Sequence, residues 1–321
     1  MNVLFVSSGN SNYGVVPFIK SQGESLRSQG ALVEYYLIKG KGLFGYIKNV
    51  PNLRRFVKKN NYDVIHAHYG LTGLVCAISL LHKPCVLSLM GDDVYGSFNK
   101  FGKRIFSSYF EMFLTQIATL SFNWIIVKSS NIRKYIIQKK NVSIIPNGVN
   151  IELFKPSDKC LSRHILKLPR TGKIILFIGD TNNERKNYCL LENAINYLDE
   201  DVIVCNPYPI DNAELPKYMN ASDVFVLTSF NEGSPNVIKE AMATNCPIVS
   251  TNVGDVELTI GDTEGCYLTS FEPLDVAEKI NLALEFSKKK GRTEGRSRIL
   301  ELGLDTEKIA EKIMNIYQEI R

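Results

Sequence analysis

The chain has 321 residues, 45% of them hydrophobic, enough for two packed domains. Its seven cysteines, odd in number and without a C-x-x-C pair, exclude a disulfide framework and a structural zinc site and point to a reducing cytoplasm. The net charge of +5 conceals a division, with 21 Lys and Arg against 8 Asp and Glu through Arg163, then 17 against 25.

In chain order the pattern is strand and helix in alternation, begun twice. N-V-L-F-V-S-S reads as a buried strand, residues 9–14 as a loop and 14–29 as a helix ending at Gly30; A-L-V-E-Y-Y-L-I, Y-D-V-I-H-A-H, K-P-C-V-L-S-L-M and N-W-I-I-V-K-S-S are further strands with helical segments between them. The series restarts with K-I-I-L-F-I-G-D at 173–180, continues with a helix from about Lys186, and runs through D-V-I-V-C-N, S-D-V-F-V-L-T-S and C-P-I-V-S-T to an amphipathic C-terminal helix. Short apolar runs alternating with helices predict parallel sheets covered on both faces, hence an α/β protein of two Rossmann-like domains facing across a cleft. The expected bounds are 1–163, 164–304 and a final helix over 305–321 that packs back on the first domain.

The apolar stretches at 74–81 and 113–127 are too short or too polar to cross a bilayer, and Met1 leads into a strand without a basic leader, so a cytoplasmic protein is expected. The basic half calls for an anionic partner. Stretches 39–59 and 98–106 mix Lys and Arg with Phe44, Tyr46, Phe98 and Phe101, as interfacial segments do, and an anionic membrane surface is the expected partner; a solvated basic helix is the alternative. No nucleic-acid-binding signature is present.

Residues 229–243, S-F-N-E-G-S-P-N-V-I-K-E-A-M-A, carry the strongest chemical signal. Ser234 reads as an N-cap and Pro235 as the first helical residue, which puts Glu232 in the preceding loop and Glu240 about two turns in, on a polar stripe with Asn236 and Thr244. A helix N-terminus attracts phosphate, which two carboxylates would repel unless they hold hydroxyls attached to it; a sugar and a ribose fit.

This segment and the residues after it resemble the Glu-seven residues-Glu signature of family 4 glycosyltransferases, retaining enzymes of the GT-B fold. L-F-V-S-S-G, D-V-I-H-A-H-Y-G-L-T-G, S-L-M-G-D-D-V-Y-G, I-P-N-G-V and F-I-G-D with E-R-K-N match further family segments in order over nearly the whole chain. The resemblance implies transfer of a sugar from a nucleotide diphosphate donor to an acceptor hydroxyl with retention; the charge and aromatics of the basic first half suit a lipid-linked glycan at the inner face of the membrane, and polysaccharide assembly is then the expected pathway. The resemblance also implies that Glu232 and the backbone of Gly233, Ser234, Pro235 and Asn236 hold the sugar, that Glu240 holds the ribose, that Arg185 and Lys186 hold the diphosphate, and that the loop to Gly14 approaches donor phosphate and acceptor. The cationic pair replaces a metal, so no metal or other cofactor is expected and Asp92-Asp93 is not a metal site. Two positions depart from the family: Asp180 stands where many relatives have Arg, and Met90 where the family often has His. On the acceptor side Asp93 keeps the family's Asp, and His66 and His68 end a strand, where side-chain alternation is expected to send one to each side of the sheet. Tyr208 is a candidate for stacking on the base. The alternatives are an inactive nucleotide-sugar-binding or scaffold protein of the same fold, and a GT-B nucleotide-sugar epimerase.

Overall fold

The computed structural model describes residues 1–11, 14–99 and 103–321. The chain forms two compact units: one of Met1–Ser97, Arg104–Gly148 and Thr306–Arg321, the other built on Val149–Asp305. Phe101, expected to face a membrane, lies outside the described residues.

In the first unit β1 (Asn2–Ser8), β2 (Leu32–Ile38), β3 (Val64–His68), β4 (Cys85–Leu89), β5 (Trp124–Val127) and β6 (Val142–Ile144) form one parallel sheet in the order β2-β1-β3-β4-β5-β6. In the second, β7 (Lys173–Leu176), β8 (Val202–Cys205), β9 (Val224–Leu227), β10 (Ile248–Thr251) and β11 (Cys266–Thr269) form another, β11-β10-β9-β7-β8, again all parallel. The central strands are apolar runs because helices cover both faces: Val3 to Val6 and Val224 to Val226 are completely buried. The second unit's core packs Ile175, Phe177, Val224, Val226 and Val249 against helices Tyr188–Ile195 and Pro273–Lys289. In each sheet the first strand lies between the second and third, so chain direction across the sheet reverses at β1/β3 and at β7/β9. Loops at the carboxyl ends of such a strand pair diverge and leave room for a ligand.

The junction lies at 148/149 rather than 163. Val149 N–H donates to Leu304 O at 2.9 Å, and Lys159 and Arg163 pair with Asp223 at 2.8 and 2.7 Å, so the last cations of the basic half neutralise an acid of the second unit. The C-terminal helix Thr306–Ile320 returns to the first unit, where it packs on Pro17–Ser28 and places the Tyr317 hydroxyl 2.5 Å from His66 Nδ1.

Candidate active site

The second unit's switch point gathers the cationic pair and the first glutamate. After β7, Gly179 has φ +159°, and a Cβ there would sit 3.3 Å from Lys186 Cγ. Asp180, where the resemblance expects Arg, spends its carboxylate on its own turn, accepting from Asn182 N–H at 2.9 Å. The Asn183 side chain then accepts from Arg185 N–H at 3.1 Å and opens the single 3-10 turn Glu184–Lys186. The loop after β9 fastens this turn: Phe230 N–H donates to Arg185 O at 2.9 Å, and the Thr228 hydroxyl lies 3.0 and 2.9 Å from the carbonyls of Lys186 and Asn187.

Both cations therefore meet Glu232. Lys186 Nζ is 2.8 Å from Oε1 and Arg185 Nη1 2.6 Å from Oε2, while Ser229 Oγ donates to Oε1 at 3.0 Å and Arg185 also reaches Asn231 O at 3.1 Å. Burial pushes the Glu232 carboxyl up, but Lys186 and Arg185 outweigh it and hold the group below its ordinary value, so it is ionised at neutral pH.

The helix that follows spans Asn236–Ala243 and begins one residue later than the sequence predicts. Its N-cap residue is Pro235, without a side-chain cap. Ser234 is not the cap because its hydroxyl is committed elsewhere, donating to Asp255 Oδ2 at 2.7 Å and accepting from Lys239 Nζ at 2.8 Å. Lys239 is 1% exposed, and burial lowers its pKa against the opposing charges of Asp255 and Glu240. Gly254, at φ +62°, seats the 253–255 loop directly on residues 232–233, since a Cβ there would lie 2.8 Å from Gly233 O. Glu240 shares a helix face with Asn236, one turn from the first backbone N–H groups. Burial raises its carboxyl to about 7, Lys239 offsetting part of the effect. Thr244, expected on the same polar stripe, is fully buried, and its hydroxyl bonds back to Glu240 O and Ala241 O. Tyr208 is half exposed in the loop after β8, whose Asn206 side chain donates to Gly179 O at 2.9 Å.

In the first unit, the residues expected on the acceptor side are buried. Asp93 is 1% exposed and accepts from the N–H groups of Gly70 (3.0 Å), Met90 (3.0 Å) and Gly91 (2.8 Å), thereby joining the loop after β4 to the start of helix Gly70–Ile78; burial raises its carboxyl to about 6 against those bonds. His66 and His68 lie on the same side of the sheet, which corrects the expectation of opposite sides: residues two apart in a strand share a face, and the rings stack 4.3 Å apart. His66 bonds to Tyr317 and, at 2.8 Å, to Ser88 Oγ. Both ring nitrogens of fully buried His68 are without a hydrogen-bond partner among the described residues. Burial, then nearby Lys128, holds its pKa well below the usual value, so the ring is neutral. Gly14, at φ +67°, closes a turn with Ser11, whose carbonyl accepts its N–H at 3.1 Å.

Sequence reading missed Lys239, Asp255 and Gly254. The only signal was a lysine on the apolar face of an amphipathic helix. A concavity of about 650 Å³ lined by residues 261–264, Phe286, Lys290 and part of the segment 292–301 shares no residue with this cluster, and two of its charge pairs close on themselves, Lys290 with Glu264 at 2.5 Å and Arg298 with Glu301 at 3.8 Å. Among the described residues no group of three or more His, Cys, Asp or Glu is placed to hold a metal ion.

Comparison with known proteins agrees with this architecture. Residues 16–153 match the family model described as Glycosyltransferase Family 4, and residues 163–285 match Glycosyl transferases group 1. The UDP-Gal:alpha-D-GlcNAc-diphosphoundecaprenol alpha-1,3-galactosyltransferase of Escherichia coli is 24% identical over 276 residues, covering 74% of this chain and 70% of its own length. A putative teichuronic acid biosynthesis glycosyltransferase of Bacillus subtilis is 26% identical, over 62% of this chain and 55% of its own. The Anabaena protein HepE, solved in complex with UDP-glucose, superposes with a TM-score of 0.80 at 17% identity, covering 99% of this chain and all of that one. The chain belongs to the GT-B glycosyltransferases of family 4.

Proposed function

We propose that the protein is a retaining, metal-independent glycosyltransferase that moves a sugar from a nucleotide diphosphate sugar to a hydroxyl of a lipid-linked glycan, in cell-surface polysaccharide assembly. The observation that carries the donor reading is the Arg185–Lys186–Glu232 cluster at the β7/β9 switch point, beside the start of helix Asn236–Ala243. Two cations against one carboxylate leave the cluster with a net positive charge, which suits a diphosphate, while helix-start N–H groups add fixed partial charge. Uridine is the favoured nucleotide because the E. coli relative is a UDP-Gal-dependent enzyme by name and HepE was solved in complex with UDP-glucose. The lipid-linked acceptor likewise follows the E. coli relative, whose name specifies a diphosphoundecaprenol substrate.

In this reading Glu232 and the backbone of Gly233 to Asn236 hold the sugar hydroxyls, Glu240 takes the ribose diol, and Tyr208 covers the base. The bond between the anomeric carbon and the diphosphate oxygen breaks, and its electron pair leaves with the diphosphate, stabilised by Arg185 and Lys186. The acceptor hydroxyl attacks from the same face and passes its proton to the departing phosphate oxygen. The first unit takes the acceptor, with His68 and Asp93 shaping its side, and works peripherally at the inner surface of the membrane.

The test is a panel of UDP-sugars offered with undecaprenyl-diphosphate-linked and soluble glycan acceptors, the product's anomeric configuration being read by NMR. An inverted linkage overturns retention. Nucleotide binding without transfer or hydrolysis identifies an inactive binding protein, and a changed UDP-sugar released without acceptor identifies an epimerase.

A further inference from the structure

Helix Ser108–Thr119 has its amphipathic sense reversed. The side against helix Gly70–Ile78 carries Ser108, Thr115, Ala118 and Thr119, all buried. Gly70 permits this close approach, since a Cβ there would lie 2.0 Å from Thr115 Oγ1. The outer side carries Phe106, Tyr109, Phe110, Phe113, Ile117 and Leu120, three and four residues apart and 44% to 89% exposed. Gln116 ties a second segment beside this stripe: its side-chain amide donates to Tyr135 O and its Oε1 accepts from Ile137 N–H, both at 3.0 Å. Tyr135 and Ile137, 51% and 66% exposed, thus extend the apolar surface. Contiguous apolar surface of this extent on a globular protein marks a face that something else covers.

Cations frame the patch. The Arg104 guanidinium lies 5.4 Å from the centre of the Tyr109 ring, and exposed Lys134, Lys139 and Lys140 flank the second segment. From Arg104 to Lys140 the chain holds a single acid, Glu111. An apolar, aromatic centre with a cationic rim complements an anionic bilayer surface, where rings enter the headgroup layer and Lys and Arg meet lipid phosphates. A second copy of the chain would bring the same excess of cations to its side of a two-fold interface.

We propose that helix Ser108–Thr119, with residues 135–137, is the face by which the protein docks on an anionic lipid bilayer. The proposal rests on the membrane-side acceptor reading above and moves the docking surface away from the stretch 39–59, where Tyr46 is buried and the Arg54 guanidinium donates to Ser79 O and Ile78 O at 2.7 and 3.0 Å.

The test is flotation of the full chain with phosphatidylcholine vesicles, with and without phosphatidylglycerol, at low and high salt, alongside sedimentation velocity. Phe110→Ser with Phe113→Ser changes only exposed side chains and is expected to lower partitioning roughly tenfold or more, whereas Phe113→Leu keeps most of it. Lys134→Gln, Lys139→Gln and Lys140→Gln together are expected to abolish the preference for phosphatidylglycerol. The proposal is overturned if the wild type ignores anionic vesicles at low salt, if the double serine variant binds as well as wild type, or if the wild type is a dimer that this variant dissociates. UDP release from a UDP-sugar panel offered with soluble glycan acceptors, measured without vesicles, separates the two readings. Vesicle binding with no turnover leaves the docking face standing and removes the transferase reading, and turnover retained in a serine variant that has lost vesicles supports a face separate from the donor site.

Discussion

Arg185 and Glu232 stand 2.6 Å apart, and Lys186 closes on the other carboxylate oxygen at 2.8 Å. Residues read from sequence as belonging to opposite ends of a donor, the diphosphate and the sugar, thus form one ion cluster. The carboxylate orients the cations and the cations fix the carboxylate, so each position depends on the other.

Glu232→Gln tests that dependence. Its charge is held to a lower pH than an ordinary carboxylate's, so the cluster's contribution to stability is present above the ordinary glutamate value and is lost as pH falls through the depressed one. Glutamine keeps the shape but leaves Arg185 and Lys186 without their counter-charge. Turnover should fall roughly tenfold to a hundredfold, the scale of a lost charged hydrogen bond of about 1.5–3 kcal/mol. UDP affinity by calorimetry should stay equal or increase. Parallel loss of both would assign Glu232 to nucleotide binding.

Glu240 carries a pH dependence of the opposite sign. Burial raises its carboxyl to about 7, so between the ordinary glutamate value and about 7 the folded state holds the proton more tightly than the unfolded chain. Stability should decline as pH rises through that window and level off above it. If the ionised group takes the ribose diol, UDP affinity should strengthen from pH 6 to pH 8. In Glu240→Gln the affinity slope should flatten to the titration of the phosphate itself, and the stability slope should shrink to the part that Asp93 contributes, whose carboxyl burial raises to about 6. A Glu240→Gln variant with wild-type affinity at both pH values would remove this residue from the nucleotide site.

Excess EDTA should leave transfer activity intact, because the proposal gives the diphosphate to Arg185 and Lys186. Loss of activity on chelation, restored by Mn²⁺, would direct attention to Asp92, since the Asp93 carboxylate is already occupied by the N–H groups of Gly70, Met90 and Gly91.

The central strands were legible because they are buried on both faces and so appear as apolar runs, and the order of the two series predicted two parallel sheets, whereas the half-exposed edge strands Val142–Ile144 and Cys266–Thr269 carry no such run and were not read. The domain junction was less so. The charge balance changes after Arg163, but Lys159 and Arg163 are the partners of Asp223, and ion pairing across 60 residues leaves no local trace. Ser234 looked like a cap for the same reason: its competing partners, Lys239 and Asp255, are set by tertiary packing. The outward phenylalanines of Ser108–Thr119 have helical spacing, but spacing says which residues share a face and not which way the face points.

Lys239→Met should destabilise the protein by about 3–5 kcal/mol in denaturant unfolding, the scale for removing one partner of a buried charge pair. Methionine matches the length of the side chain but leaves Asp255 facing Ser234 without the nearby cation. Combining Lys239→Met with Asp255→Asn should recover part of the loss, a coupling that a double-mutant cycle measures. Additive losses would show that the two charges do not interact.

Arg54 separates capping from surface charge within the basic half. Its guanidinium donates to the carbonyls of Ser79 and Ile78, at the end of helix Gly70–Ile78, where the last carbonyls lack partners in the helix and carry its negative dipole end. Lys48, Arg55, Lys58 and Lys59 are exposed cations that serve no such end in the described contacts. Arg54→Gln should therefore lower stability by about 1 kcal/mol, read as a fall in the urea midpoint at unchanged slope. Arg55→Gln and Lys58→Gln should stay within about 0.5 kcal/mol of wild type. High salt should narrow the difference only partly, because the hydrogen-bond geometry remains when the charge is screened. Equal small effects at positions 54 and 55 would mean that the capping contacts contribute no more than an ordinary surface charge, and the basic stretch would then act through its total charge alone.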